Sequence, residues 1–507
     1  MTSSPQKIVS ALHANWCLNA VGLLLSYGAS IVLVRAMPPE LYAQYAAVIA
    51  SIGIATLVFE AGANSGLTRY LTEAGQQGAR GTFYRRMQHR RWLAALACGA
   101  VLMAFGPMYA RATRFENLAG QPWLFVIIAA IVAGSLTRLL PHYGLLALFE
   151  AKTALLFQQG FLVVRSVVLA LVALAGGTLL QLTAVLLAIT VLEALLVHDR
   201  FWRLVGAERA PVSSAFINRA QTFGLLTVYD KFCAMLGSGT MLLLVLAPSH
   251  PALAIASLAL AVDLVGKLVS ITVMPMGNLV APYLSQTGDA PEVQGLATAR
   301  VLKLSSLLYS FSVGAGLLWF PWFVTAVYGD RYAGAVSLTL LLLVPTAFEN
   351  WVRGVCSPAL LRNGRGRDLV KLNSLQAVAT LLALALVYRQ PLETALLVVG
   401  GTRAAVASLN LLLLRRALPA QSCLVPLLGA AVGLLSCAAA YPWGVLLPLP
   451  AVVRGVVQSA VFAALFYAGL RWLIFRDEDL LRLAHRLTGH RSRLLARLLP
   501  PDPLFNA

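Results

Sequence analysis

Apolar runs of about twenty residues alternate along this chain with short polar, Pro-rich or Gly-rich breaks. A run of that length crosses the hydrocarbon core of a bilayer as one helix. The pattern predicts fourteen such segments: 14–34, 42–62, 92–110, 122–149, 155–176, 179–197, 220–246, 251–275, 304–327, 334–357, 369–388, 392–414, 424–441 and 453–475. The expected fold class is therefore an all-α polytopic membrane protein with 14 transmembrane helices.

Composition agrees with the pattern. Of 507 residues, 59% are hydrophobic and 12% are charged, about half the charge of an ordinary soluble domain. Mean hydropathy is +0.78. A soluble enzyme, a disordered chain and a disulfide-rich secreted module are all excluded. The six Cys residues stand singly, and the seven His residues show no HExxH spacing. No disulfide framework, metal centre or other cofactor is implied.

Charge adds a direction. Lys and Arg number 39 against 20 Asp and Glu, for a net +19. In a soluble protein that excess would point to nucleic acid. Here it points to cytoplasmic loops, which retain Lys and Arg. With the N-terminus inside, the inner loops and tails hold 26 basic residues and the outer loops six. Both termini are then cytoplasmic, the span count is even, and the first helix is retained rather than cleaved as a signal peptide. Beyond Arg476, Leu480, Leu483, Leu487, Leu494 and Leu498 interleave with Arg482, Arg486, Arg493 and Arg497. This reads as an amphipathic helix on the anionic inner leaflet. A partner-docking helix is the alternative.

Two passages recur 213–215 residues apart. Arg69-Tyr-Leu-Thr-Glu corresponds to Pro282-Tyr-Leu-Ser-Gln. Arg138, with Leu145, Leu146 and Lys152, corresponds to Arg353, with Leu360, Leu361 and Arg367. The offset equals six spans, so the halves would share one orientation, as in transporters whose repeats are related by an axis along the membrane normal. The expected organisation is an N-terminal lobe 1–197, a cytoplasmic linker 198–219, a C-terminal lobe 220–414, two extra helices in 424–475 and a basic tail 476–507.

Several motifs resemble those of Wzx-type polysaccharide flippases. These are the first loop from Leu33 to Tyr42 (Leu-Val-Arg-Ala-Met-Pro-Pro-Glu-Leu-Tyr), Phe59-Glu60-Ala61-Gly62 leading to Arg69, Ala281-Pro282-Tyr283-Leu284-Ser285, and Val327-Tyr328-Gly329-Asp330-Arg331-Tyr332-Ala333-Gly334-Ala335. One departure is Glu60-Ala-Gly-Ala, where the family has an acidic-Leu-Gly-Leu pattern, and it lowers the weight on Glu60 as a functional carboxylate. The resemblance implies a multi-pass protein of the bacterial inner membrane, within the superfamily of lipid II flippases and multidrug and toxin extrusion pumps. It also implies the activity: an oligosaccharide on undecaprenyl pyrophosphate moved to the outer leaflet by alternating access of two lobes. Partners implied are that glycan, membrane lipid, a polysaccharide polymerase and glycosyltransferases.

Charge at hydrocarbon depth costs about 2.5–3.5 kcal/mol or more, so it marks a cavity or a partner. Candidate substrate-binding cations are Lys267, Lys231, Arg165, Arg403, Arg138 and Arg353, with His142 beside Arg138. Asp230, Asp263 and Glu349 are candidate carriers of a coupled H⁺ or Na⁺. Glu193 and Arg471 sit nearer the predicted inner interface and are set aside. The net positive set suits an anionic headgroup, since Arg grips phosphate oxygens bidentately. The competing reading is structural: Asp263/Lys267 and Glu349/Arg353 have salt-bridge spacing on one helix face, and Arg138 and Arg353 can snorkel to the inner surface.

Other functional classes remain open. A drug or cation antiporter of the same superfamily would favour an acidic interior. A membrane polysaccharide polymerase or ligase would need a large outer loop, and the outer segments here run to about a dozen residues. No catalytic site is expected. Asp477-Glu478-Asp479 matches a glycosyltransferase DxD but stands at a helix start, where acids favour the dipole. Gly364-Arg365-Gly366-Arg367 lacks the strand–helix setting of a nucleotide loop.

Overall fold

A computed structural model describes residues 21–22, 24–60, 62–113, 121–148, 150–272, 291–362, 365–415, 425–446 and 451–474. The Pro282–Gln286 half of the repeat, the 281–285 motif, Gly364 and the basic tail lie outside the described residues.

The described chain is a succession of helices without strands: α1 24–36, α2 Pro39–Phe59, α3 Ala63–Gln76, α4 Arg80–Thr113, α5 Trp123–Ala147, α6 Ala151–Leu174, α7 Leu179–Val205 and α8 Ser214–Leu236. There follow α9 Gly239–Leu246, α10 Ala252–Thr272, α11 Pro291–Tyr328, α12 Gly334–Arg362, α13 Gly366–Val387, α14 Leu392–Arg415, α15 Val425–Leu446 and α16 Ala451–Ile474. Among the described residues ten helices are long and apolar enough to cross a membrane, and the bent pair α8–α9, taken as one span, makes an eleventh. Three shorter apolar helices, Leu24–Ala36, Ala431–Pro442 and Val453–Gly469, fall in the first, thirteenth and fourteenth expected segments.

Local chemistry sets the breaks. Thr178 and Gln181 form a reciprocal capping box that starts α7. The expected single segment 220–246 is interrupted instead, because Ser238 caps a new helix by accepting from the Met241 amide. Gly62, at φ 74°, turns the chain from α2 into α3. The same turn abuts α8: a Cβ on Gly224 would lie 1.9 Å from the Gly62 carbonyl oxygen. Two helices also outrun the expected segments. The first turns of α4 carry the basic run Arg80–Arg91, and α11 begins thirteen residues before 304.

Several hydroxyl groups inside the helices are satisfied locally. Thr190, Thr183 and Ser305 each donate to the carbonyl four residues back, which is how polar side chains survive without water. Large apolar side chains such as Leu96, Phe105, Leu195 and Leu386 are exposed, as a lipid-facing surface requires.

The helices divide into two compact units, Met1–Leu260 with Leu384–Leu392, and Ala261–Ala383 with Glu393–Ala507. In the first, α5 packs along α7, α4 and α3. Tyr70, Phe83, Tyr84, Met87, Phe201 and Phe216 fill its core. Residues 198–205 continue α7, and the loop after them is tied to α4 by Arg80–Glu208 at 2.8 Å. In the second unit α11 packs on α12, α15 and α16. Phe462 and Phe466 meet Leu318 and Ala440 there.

Candidate functional site

Among the described residues, four groups of charge lie within the apolar helices, each inside one unit. The first gathers around Glu193 of α7, whose side chain is fully buried. Its Oε2 accepts from Arg138 Nη1 of α5 at 2.5 Å and from Arg165 Nη2 of α6 at 3.1 Å. His142, one turn after Arg138, brings Nε2 to 3.6 Å from Glu193 Oε1. Arg138 therefore pairs across helices rather than snorkelling. Glu193, set aside on sequence, is the centre of the group.

The second group surrounds the α2–α3 turn. Lys231 Nζ of α8 lies 3.7 Å from Glu60 Oε1 and 6.0 Å from the Tyr143 ring centroid. Arg91 of α4 is 2% exposed. Its electrostatic neighbours are Glu60, Tyr84 and Tyr143. None of its three guanidinium nitrogens has a hydrogen-bond partner within the protein. Asn64 and Gln88, also buried, hold unpaired amide atoms nearby in sequence and helix register. Asp230 precedes Lys231 and is half-buried. Its side chain projects about 100° away around the helix.

In the second unit Glu349 of α12 takes the corresponding part. It accepts from Gln376 Nε2 of α13 at 2.7 Å and pairs with Arg353 Nε at 3.2 Å and with Arg403 of α14. Arg353 also donates to Asn373 Oδ1 and Gln376 Oε1 at 3.1 and 2.9 Å. The fourth group is the pair on α10, Lys267 Nζ to Asp263 Oδ2 at 2.6 Å, with both side chains partly exposed.

Chemically, Glu193 and Glu349 share one design: a buried carboxylate holding two arginines. Each group keeps one positive charge in excess, and His142 adds a second when protonated. An excess guanidinium donor in low dielectric is a strong attractor for an anion. The carboxylate also fixes the arginine forks in place. No cluster of three or more His, Cys, Asp or Glu able to hold a metal occurs among the described residues.

Sequence reading selected Arg138, Arg165, Arg353 and Arg403, and the structure assembles them pairwise around two carboxylates. It missed Glu193, Arg91, Asn373 and Gln376. Arg91 stands one residue before the expected segment 92–110, so hydropathy leaves it among the loop residues. Its recurrence with Tyr84 and Gln88 at helical spacing, on a helix continuous with the next span, was the signal that could have found it.

The fold and these groups define a multi-pass membrane protein with organised charge among its apolar helices. Its architecture is that of known transporters. The lipid II flippase MurJ, in an inward closed conformation, superposes with a TM-score of 0.70 at 12% identity, over 92% of this chain and 99% of that one. An inward-facing multidrug resistance MATE family transporter of the MOP superfamily superposes with a TM-score of 0.57 at 14% identity, over 78% and 94%. A MOP superfamily transporter from Pyrococcus furiosus, described by a reversed polarity of its binding pocket, gives 0.54 at 14% identity, over 83% and 97%. No protein-family model matches the sequence, and no curated protein does. The chain shares the fold of these flippases and transporters.

Proposed function

We propose that this protein flips an undecaprenyl-pyrophosphate-linked oligosaccharide across the bacterial inner membrane, for surface or exopolysaccharide synthesis. The observation that carries the reading is the pair of arginine-rich groups, Arg138–Arg165–Glu193 and Arg353–Arg403–Glu349. Each holds more cation than anion, as an anionic headgroup needs. The MurJ-like fold supports the same reading, since that protein is a lipid flippase. The two lobes of the internal repeat alternate access, with both termini cytoplasmic. Lys231 and Lys267 supply further point charges, and Asp230, Asp263 or Glu349 carries a coupled H⁺ or Na⁺. A polymerase and glycosyltransferases act beside it.

MATE-like neighbours favour a second reading, a drug or cation antiporter. The same arginine groups count against it, because they repel cations. Reconstitution separates the two. Vesicles containing the protein should move a fluorescent polyprenyl-pyrophosphate glycan between leaflets and should not concentrate a cationic dye. Dye uptake without lipid movement would replace the flippase by the antiporter.

A further inference from the structure

Helix α6 carries an open apolar groove of about 400 Å³, lined by Thr153, Leu156, Phe157, Gly160, Phe161 and Val164. Two i+4 ridges bound it, 153–157–161 and 156–160–164. Phe157 and Phe161 stack along the first, with centroids 6.5 Å apart and planes 16° from parallel. Gly160 notches the second, and a Cβ there would meet nothing within 4 Å. From Thr153 to Val164 the groove runs about 16 Å along the helix. The next member of the first ridge is Arg165, whose side chain is 24% exposed and pairs with Glu193. The groove therefore leads, one turn on, to a group of two arginines and His142 around a single carboxylate.

We propose that this groove holds the head-proximal stretch of a polyprenyl tail whose pyrophosphate is bound at Arg165 and Arg138. Several features select that occupant. The walls are apolar and aromatic on a helix of membrane-spanning hydropathy, so the ligand there is hydrocarbon. The trough is single, so it takes one chain, whereas a phospholipid brings two chains to one phosphate. The end at Arg165 is cationic, so the chain belongs to an anionic head. The identity of the lipid rests on the flippase reading. The location on α6, and the role of Gly160 as the notch that admits the chain, go beyond it.

A substitution at Gly160 tests the groove directly. A Cβ at Gly160 meets nothing within 4 Å and Leu raises helix propensity, so Gly160→Leu should narrow the trough with folding and membrane level unchanged. A photocrosslinking side chain at Leu156, which is 50% exposed, should capture undecaprenyl pyrophosphate in the full-length protein. The same probe at Leu195, which is 64% exposed on α7, should not. Gly160→Leu should lower capture at Leu156 roughly tenfold, equivalent to about 1.4 kcal/mol, and should slow glycan export. Equal capture at both positions, or capture abolished by excess phosphatidylglycerol, would make the groove ordinary lipid surface and overturn the proposal. So would unchanged export and capture in Gly160→Leu. A wild-type protein that neither exports glycan nor captures the polyprenyl lipid anywhere would instead remove the flippase reading. Export by the wild type with no capture at Leu156 removes the groove alone.

Discussion

Arg165 Nη2 lies 3.1 Å from Glu193 Oε2, the same oxygen that accepts from Arg138 at 2.5 Å. Two helices thus deliver a cation to one buried atom of a third. Removing that carboxylate strands two guanidiniums, and breaking a buried ion pair from one side costs about 3–5 kcal/mol. Glu193→Gln should lower the thermal midpoint of the purified protein sharply. Adding Arg165→Met should recover part of the loss. Equal stability of Glu193→Gln and wild type would show that the group is solvated and that its geometry is not structural.

An asymmetry is expected at the α2–α3 turn. Glu60 faces two cations, Lys231 at 3.7 Å and the hydrogen-bond-orphaned Arg91. Lys231→Met leaves Glu60 to neutralise Arg91. Glu60→Gln leaves both cations without a counter-charge. Glu60→Gln should therefore be the more destabilising by roughly 1–3 kcal/mol, in line with the cost of an unsatisfied buried group. Denaturation of the two variants in one detergent reads the order. The reverse order would mean that Arg91 has another counter-ion.

Much of the architecture was legible because hydropathy over about twenty residues is a long-range average, insensitive to detail. The site was legible only by residue type. Arg138, Arg165, Arg353 and Arg403 stood out as charges inside apolar runs. Their counter-ions did not, because pairing depends on how α5, α6 and α7 rotate against one another, which no single-helix pattern encodes. Glu193 was discounted for its distance from the segment centre, yet helix α7 extends to Val205 and places it among other helices. Glu60 was discounted for a departure from a motif, while its setting depends on a close approach of Gly62 and Gly224 that spacing cannot show.

That approach is itself testable. Gly224 has no room for a side chain, since a Cβ would stand 1.9 Å from a backbone oxygen. Gly224→Ala should push α8 from the α2–α3 turn and reduce folded protein in the membrane. Gly28→Ala, where a Cβ meets nothing within 4 Å, should behave as wild type. Comparable levels of the two variants would refute the tight packing.

The expected topology rests on a sequence bias of 26 basic residues in the loops and tails assigned inside to six in those assigned outside, and it loses little when Arg91 is moved from loop to helix. Reporter fusions after residues 210 and 476 should both show a cytoplasmic location. A periplasmic signal after 476 would reverse the paired-span arrangement and place the basic tail outside.

Lys267 and Asp263 decide between binding and structure on α10. Their side chains meet at 2.6 Å across one helical turn, yet that of Asp263 remains 32% exposed and that of Lys267 15%. A purely structural pair predicts non-additivity: Lys267→Ala removes the cation that offsets the Asp263 carboxylate, and Asp263→Ala added to it removes the uncompensated charge. A substrate-binding lysine predicts the opposite, because removing Asp263 cannot restore a lost cation. With protein levels matched, glycan export should fall in Lys267→Ala and stay low in the double variant. Asp263→Ala alone should keep the Lys267 ammonium and retain export. Recovery of export in the double variant would falsify the binding role and return Lys267 to the scaffold.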